Sequence, residues 1–589
     1  MNHTFHIPVL GLGYSIDTPL KVARYGISSV VSIVDDELTE RMRKYHEEQT
    51  GGTFTLIAKK ETDSRARRIT AYLDLLDVQV KQQFQALQAQ SFETGTELDY
   101  YFELLPERSV WKQKYEEMKS LSDSPQKKEL QAELRQSMVP GAIDVNIMSK
   151  VDKVNYNANH ESQGDDYTDA LAAMRGFSNS TLNSSVIISA GLNPRLYAYM
   201  EKCSAFYPDA TGTFQKKIIL KVSDFRSALI QAKMLAKKGL WVAEFRVESG
   251  LNCGGHAFAT DGFLLGPILE EFKQKRKELA EELYQMYSNA LKSKEMAETA
   301  IPEQRITAQG GIGTAEEHEF LLNYYELDAA GWGSPFLLVP EATNVDDETL
   351  NHLATAAADD YYLSNSSPLG VLFNNFKKST AEEQRLQRIE KGRPGSPCTK
   401  KFLCTNTEFT AEPICTASRE YQNLKIKQLK EQTLSEDNYQ RQFESITEKV
   451  CLCEGLCAST YLKVGILKAR ENKAVSICPG PNLAFFQGKY SLKEMINHIY
   501  GRENLLADVI RPNLFINELN LYVDYLKKDI ANQLEEITAK KDKYFNKFKM
   551  QLLDGITYYR ALIPELKFQD SSSVQEMLKQ LLLAEKSLS

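Results

Sequence analysis

Four stretches of the chain carry residue types that could do chemistry. His256 ends the run Gly250-Leu251-Asn252-Cys253-Gly254-Gly255-His256. An imidazole takes or gives a proton near neutral pH, and one placed just past a strand suits acid–base work. Gln309-Gly310-Gly311-Ile312-Gly313-Thr314 leads into a helical pattern, and Gly331-Trp332-Gly333-Ser334 follows soon after. Glycines let a backbone approach a phosphate, and a helix start adds free N–H groups and a positive dipole end. Taken singly, each glycine run is more simply a tight turn, and His256 more simply a surface-loop histidine. Found together after two consecutive strands, the two runs favour a phosphate site. The fourth stretch holds Cys398, Cys404, Cys415, Cys451, Cys453, Cys457 and Cys478, seven of the nine cysteines. Thiolates suit an iron–sulfur cluster or zinc, in that order here. The spacing matches no standard zinc ribbon or ferredoxin run, there is no C-x-x-C pair, and nearby histidines are lacking. A set of buried thiols without metal is the other reading.

These residues need elements to position them. Strand-like runs fall at 6–10, 28–34, 143–147, 185–190, 217–222, 240–247, 305–309 and 330–334. Helical patterns at about 167–175, 194–201, 224–238, 264–298 and 314–325 separate the later ones. Eight strands alternating with helices predict an α/β protein with a (β/α)8 barrel, and function then belongs at the C-terminal ends of the strands. A doubly wound open sheet is the alternative. Residues about 36–140, rich in Glu, Gln, Lys and Arg with apolar residues at helical spacing, predict a helical insertion after the second strand. The expected division is a barrel over 1–370, a cysteine-rich region over 371–485 and a helical region over 486–589. The last either packs on the barrel or makes a homodimer contact. Asp359-Asp360-Tyr361-Tyr362 reads as a surface helix end, and the alternating charges of 525–548 as a solvated helix face.

Composition narrows the class. The chain has 589 residues, 42% of them apolar and 25% charged, as in globular proteins. With 71 basic against 79 acidic side chains the net charge is −8, without the basic excess of a nucleic-acid binder. No apolar run reaches the length of a membrane span, and no export signal is evident. The expectation is a cytoplasmic protein with no membrane or nucleic-acid partner, its cysteines thiols or metal ligands.

In order and spacing the motifs resemble those of the nitronate monooxygenase (2-nitropropane dioxygenase) superfamily of FMN-dependent TIM barrels. The resemblance rests on Gly254-Gly255-His256, Ala308-Gln309-Gly310-Gly311-Ile312 and Gly333-Ser334-Pro335-Phe336, with Ile7-Pro8-Val9-Leu10-Gly11, Thr18-Pro19 and Val145-Asn146 before them. Ser189-Ala190 before Asn193-Pro194, Lys221-Val222-Ser223 and Gly266-Pro267-Ile268-Leu269 make the chain most similar to the enoyl reductases of polyunsaturated fatty acid and polyketide synthases. It covers residues 1–370 apart from the insertion. The resemblance implies an FMN-dependent oxidoreductase. Gly254, Gly255, Gly310, Gly311, Gly333 and Ser334 would bind the cofactor, the last four at its phosphate. Gly11 would lie against the isoalloxazine ring, Asn146 and Lys221 would reach its edges, and His256 would be the acid or base beside it. The implied substrate is a nitronate or an enoyl thioester, with NAD(P)H as electron donor in the second case. Asn252 and Cys253 depart from the small or acidic residues usual before the double glycine. Two other readings stand beside this one: a flavin-free barrel acting as a scaffold or binding module, and an iron–sulfur protein whose working part is the cysteine-rich region.

Overall fold

Short β-branched runs become the barrel strands. In the computed structural model these are β1 (Phe5–Ile7), β2 (Ser28–Ser32), β3 (Ile143–Asn146), β4 (Ser184–Ile188), β5 (Lys216–Val222), β6 (Val242–Glu248), β7 (Arg305–Gln309) and β8 (Ala329–Gly331). They pair in parallel and in chain order, and β8 closes on β1. The structure describes residues 3–149, 152–155, 161–189, 191–257, 261–297, 299–531, 539–566 and 571–588, so Ala190 and residue 298 of the expected elements lie outside it. β8 stops three residues before the expected end, and Gly333-Ser334 enter a 3-10 turn, Ser334–Leu338.

Strand alternation decides what fills the barrel. Val30, Ile187 and Ile219 form a small apolar cluster of their own with Val9. Successive side chains on a strand point to opposite faces. Residues two positions away from these three therefore share their inward direction. Towards the N-terminal ends this face carries Ser28, Ser185 and Lys217, and with His6, Asp144, Glu244, Arg246 and Arg305 they line a cavity of about 510 Å³. Arg246 donates to Glu244 at 2.7 Å and to Asp144 at 3.1 Å, while Thr307 donates to Glu244 at 2.7 Å. Burial pushes the Glu244 carboxyl up, but Arg246 and Arg305 outweigh it and hold it at about 2. His6 is held neutral by burial and by Arg246. The β6 sequence Val-Ala-Glu-Phe-Arg-Val-Glu thus alternates apolar outward with charged inward.

The insertion grows from the end of β2. Asp35 caps helix Asp36–Gln49 by accepting from Glu37 and Leu38 N–H. Arg65 and Arg68 of helix Ser64–Gln88 tie back to Asp36 at 2.8 and 3.0 Å. The chain returns to the barrel at Gly141, where a Cβ would lie 2.0 Å from the Ile27 carbonyl oxygen. After β8, the run read as polar and mixed contains a hairpin, β9 (Tyr361–Ser364) with β10 (Phe373–Phe376). Its first strand is the Tyr361-Tyr362 stretch expected at a helix end. The C-terminal helices Leu514–Ala531, Ala539–Leu562 and Ser571–Leu588 pack on the barrel, and one apolar core runs from Phe5 to Leu588. Among the described residues no helix is long and apolar enough to cross a membrane.

Replacing Arg246 by Met leaves Asp144 buried without its cation and Glu244 with Arg305 alone, 3.4 Å away. A loss of about 3–5 kcal/mol is expected, measured by denaturant titration. Gly141→Ala pushes β3 off the chain at Ile27 and should cost about 1–3 kcal/mol in the same assay.

Candidate active site at the barrel mouth

At the C-terminal ends the inward face is polar again. It carries Ser32, Asn146, Lys221, Glu248 and Gln309. Lys221 Nζ lies 2.7 Å from Glu248 Oε2, and Gln309 Nε2 donates to Glu248 Oε1 at 2.7 Å. Sequence reasoning assigned no role to Glu248 or Gln309. The signal was present in the charged alternation of β6, which brings a third acidic or basic side chain to the mouth. Ser32 Oγ is buried and has no hydrogen-bond partner among the described residues, while the Gln309 amide faces the His6 imidazole.

The loop after β6 carries His256 and is held from two sides. On one side Gly255 N–H donates to the Cys478 carbonyl at 2.9 Å, and a Cβ on Gly254 would stand 2.3 Å from the same oxygen. On the other side the hairpin pairs with it. Asn374 N–H donates to Gly255 O at 2.9 Å and Ala257 N–H to Leu372 O at 2.8 Å. Asn252 fixes the loop internally: its Oδ1 accepts from Gly254 N–H at 3.0 Å and from Asn374 Nδ2 at 2.9 Å, and its Nδ2 donates to His256 O at 3.2 Å. His256 Nε2 pairs with the buried Ser367 hydroxyl at 2.7 Å, and the Phe373 ring meets the imidazole edge-on at 5.1 Å. Ser367 and the hairpin escaped sequence reasoning, because nothing in a polar run 100 residues downstream points to a histidine.

The two glycine runs meet the same loop. A Cβ on Gly310 would lie 2.9 Å from Asn252 Cα, and one on Gly333 2.7 Å from Cys253 Cβ. Ser334 Oγ donates to Cys253 O at 3.0 Å and accepts from Gly480 N–H at 2.6 Å. Gly310 and Gly311 have φ of +96° and +82°, a conformation that favours glycine. Among the described residues the N–H groups of Gly311, Gly333 and Ser334, all buried, carry no hydrogen bond. Buried unpaired N–H groups are costly and point to a missing acceptor. The helix start is a different matter. Glu317 accepts from Gly313 N–H at 2.9 Å and from Leu514 N–H at 2.6 Å, and pairs with Arg511 at 2.7 Å. A carboxylate of the protein thus fills the end of helix Ala315–Tyr324, and only the loop N–H groups are left to meet an anion.

Gly11 sits at the same mouth. A Cβ there would lie 2.9 Å from the Tyr14 ring and 4.0 Å from Cys478 Sγ, so packing against Tyr14 alone requires glycine. Burial pushes the Cys253 thiol far above its ordinary range, with Glu248 adding to the effect. Cys253 is therefore a neutral thiol and no nucleophile at pH 7.

The structure thus gathers Gly254, Gly255, His256, Gly310, Gly311, Gly333 and Ser334 in one contact network. It brings Gly11 to the rim and Asn146 and Lys221 to the inward face below. The unpaired N–H groups are of the chemistry that would meet a phosphate, and the unpaired Ser32 hydroxyl of the chemistry that would meet a polar ring edge, the two ends that FMN presents.

No family model matches the sequence, and no curated protein matches it. Solved structures similar to it include FabK from Thermotoga maritima, 12% identical, with 65% of this chain and 82% of that one covered and a TM-score of 0.30. The enoyl reductase domain of MlnA, from the macrolactin biosynthesis cluster of Bacillus amyloliquefaciens, is 14% identical over 75% of this chain and 90% of its own, with a TM-score of 0.30. Nitroalkane oxidase from Streptomyces ansochromogenes is 10% identical over 86% and 95%, with a TM-score of 0.34. Values this low describe a chain path and assign no residue a role.

One acid beneath the loop makes the mouth sensitive to pH. Glu518 accepts from Gly250 and Leu265 N–H, both at 2.7 Å, and burial pushes its carboxyl up to about 7 despite those bonds. Between the ordinary glutamate value of about 4.3 and 7 the folded chain holds a proton that the unfolded chain has lost. Stability falls as pH rises through that window, by up to about 3 kcal/mol. Denaturant midpoints measured from pH 4.5 to 7.5 should show this slope, and Glu518→Gln should flatten it.

Proposed function

We propose that the barrel mouth binds FMN and that the protein is a flavin-dependent oxidoreductase of the enoyl reductase or nitronate monooxygenase type. The observation that carries this reading is that one loop network at the C-terminal ends of the strands joins an acid–base residue, His256, to the turns bearing the buried, unpaired N–H groups of Gly311, Gly333 and Ser334. Backbone donors of this kind hold a phosphate without a side chain. Bound FMN would supply the hydride or electron chemistry, which no side chain of this chain provides.

The rest falls to the protein's own residues. Ser367 and Phe373 fix the plane of the His256 ring. The imidazole then takes a proton from an acidic carbon, or gives one to the carbon or oxygen that gains charge when an α,β-unsaturated thioester is reduced. Lys221 keeps a positive charge at the mouth, and Glu248 holds its position. That charge favours any negative charge developing on neighbouring groups. Asn146 and Ser32 supply hydrogen bonds at ring edges. The double glycine gives His256 its close approach, since a side chain at Gly254 would strike Cys478.

Absorption spectroscopy of the purified full-length protein, with the supernatant after heat release, tests the cofactor. Twin flavin bands and released FMN are expected. A colourless protein that takes up no added FMN would overturn the reading and favour a scaffold role. His256→Ala should lower turnover by about 10²–10⁴ with FMN retained, measured with NAD(P)H plus an enoyl thioester and, separately, as oxygen uptake with a nitronate. Activity in the first assay alone assigns an enoyl reductase, and activity in the second alone a nitronate oxidase.

A further inference from the structure

The cysteine-rich region holds, among the described residues, no group of three His, Cys, Asp or Glu side chains placed to bind a metal ion. What it does form is one wall of a cavity. A space of about 620 Å³ is bounded by three parts of the chain that lie outside the barrel strands. The first wall is the insertion after β2, through the starts of helices Asp36–Gln49 and Ser64–Gln88. The second is the segment that follows β3, through Lys153, Asn155 and Tyr167. The third comes from residues 388–402 and 454–472. None of the residues placed at the barrel mouth lines this space. Its volume is that of a small-molecule site.

Ion pairs join the walls and answer the acids. Arg41 pairs with Glu37 on its own helix and with Glu471 of the third wall, at 2.9 Å. Lys400 pairs with Asp35 at the foot of the insertion. Arg65 and Arg68 share Asp36, Arg65 lies 3.7 Å from Asp169, and Arg175 holds Asp63. Glu454 accepts from the Thr399 hydroxyl. The remaining cations are not answered. Among the described residues Lys59, Arg388 and Arg470 make no side-chain hydrogen bond or ion pair, and Lys153 Nζ donates only to the Lys401 carbonyl, at 3.3 Å. Arg388 is half-buried. Burial and the neighbouring Arg419 bring its guanidinium below its ordinary value, with Cys451 and Glu454 opposing. Helix Ser64–Gln88 starts at the same space without a side-chain cap, the Asp63 carboxylate being taken by Arg175, so its positive end adds to the field. This local surplus stands on a chain of net charge −8. Unpaired cations around a concave space attract an anion. Phe402 and Leu467, both half-buried, add apolar surface to the lining.

We propose that this cavity binds an organic phosphate ester, its phosphate met by cations drawn from Lys59, Lys153, Arg388 and Arg470 and its organic part by Phe402 and Leu467. A ligand with one negative charge would leave most of these cations unanswered, whereas a phosphate monoester carries about two. Arginine meets phosphate oxygens with paired N–H donors, and lysine adds a point charge. The ion pairs that join the walls keep the site formed before the ligand arrives, which lowers the cost of binding. The proposal gives one purpose to the insertion, the segment after β3 and the cysteine-rich region, none of which supplies a barrel strand. It is independent of the flavin.

The test is calorimetric titration of the full-length protein with adenosine 5′-diphosphate as the probe and adenosine as its uncharged control. Saturable binding of the diphosphate and none of adenosine is expected. Added salt should weaken the binding, because the cations are reached by solvent. Lys153→Ala/Arg388→Ala should weaken it by at least about tenfold, with a thermal melt matching the wild type, and Arg388→Lys should retain part of the affinity. Wild-type protein that binds no diphosphate saturably would overturn the proposal, whatever the variants do. Adenosine binding as tightly as the diphosphate would overturn it too, and so would undiminished affinity in the double variant.

Discussion

A loop of four residues, Asn252 to Gly255, is gripped on both sides by backbone that comes from far along the chain. The hairpin grips it through Leu372 and Asn374, and the 478–480 segment through Cys478 and Gly480. Side-chain volume is excluded at Gly254 by a carbonyl oxygen and at Gly333 by Cys253. Everything at the mouth refers to this loop. It carries His256, it backs the glycine turn after β7, and through Ser334 it locks the turn after β8. A single amide, Asn252, satisfies three of the bonds that keep it in shape. Its φ of +28° is uncommon for a residue with a side chain, and the bonds it makes there offset that strain.

Below the loop the barrel is unusual in what fills it. One thin apolar layer separates two polar ones. The lower layer is an ion network in which Arg246 serves two carboxylates, and the upper holds the Lys221–Glu248 pair beside an unpaired Ser32 hydroxyl. Buried polar atoms without a partner occur at both ends among the described residues, Arg246 Nη1 below and Ser32 Oγ above, so hydrogen-bond satisfaction does not by itself distinguish the floor from the mouth.

Much of this was legible in the sequence. The eight strands follow from short β-branched runs at regular intervals, and the glycine runs fall at the ends of β7 and β8 because those turns demand them. Other parts were not legible, for physical reasons. Glu248 and Gln309 matter through inward alternation, which depends on a register that only the closed barrel sets. Ser367 and Asn374 reach the β6 loop by non-local pairing, and no periodicity reports a contact across more than 100 residues. The glycine at position 11 follows from the Tyr14 ring as well as from any ligand. Glu317 shows the reverse error: a helix start reads as an open anion site until the chain's own carboxylate is found there.

The wall of the mouth is assembled from segments made long after the barrel. β8 ends at Gly331, whereas the backbone that grips the β6 loop comes from the hairpin and from residues 478–480, and the buried Arg511 and Glu518 come later still. A chain synthesised from its N-terminus can close the barrel while these pieces are still being made. During that interval the β6 loop and the turn after β8 lack the backbone that braces them, so the mouth takes its final shape only once the hairpin and the 478–480 segment have folded.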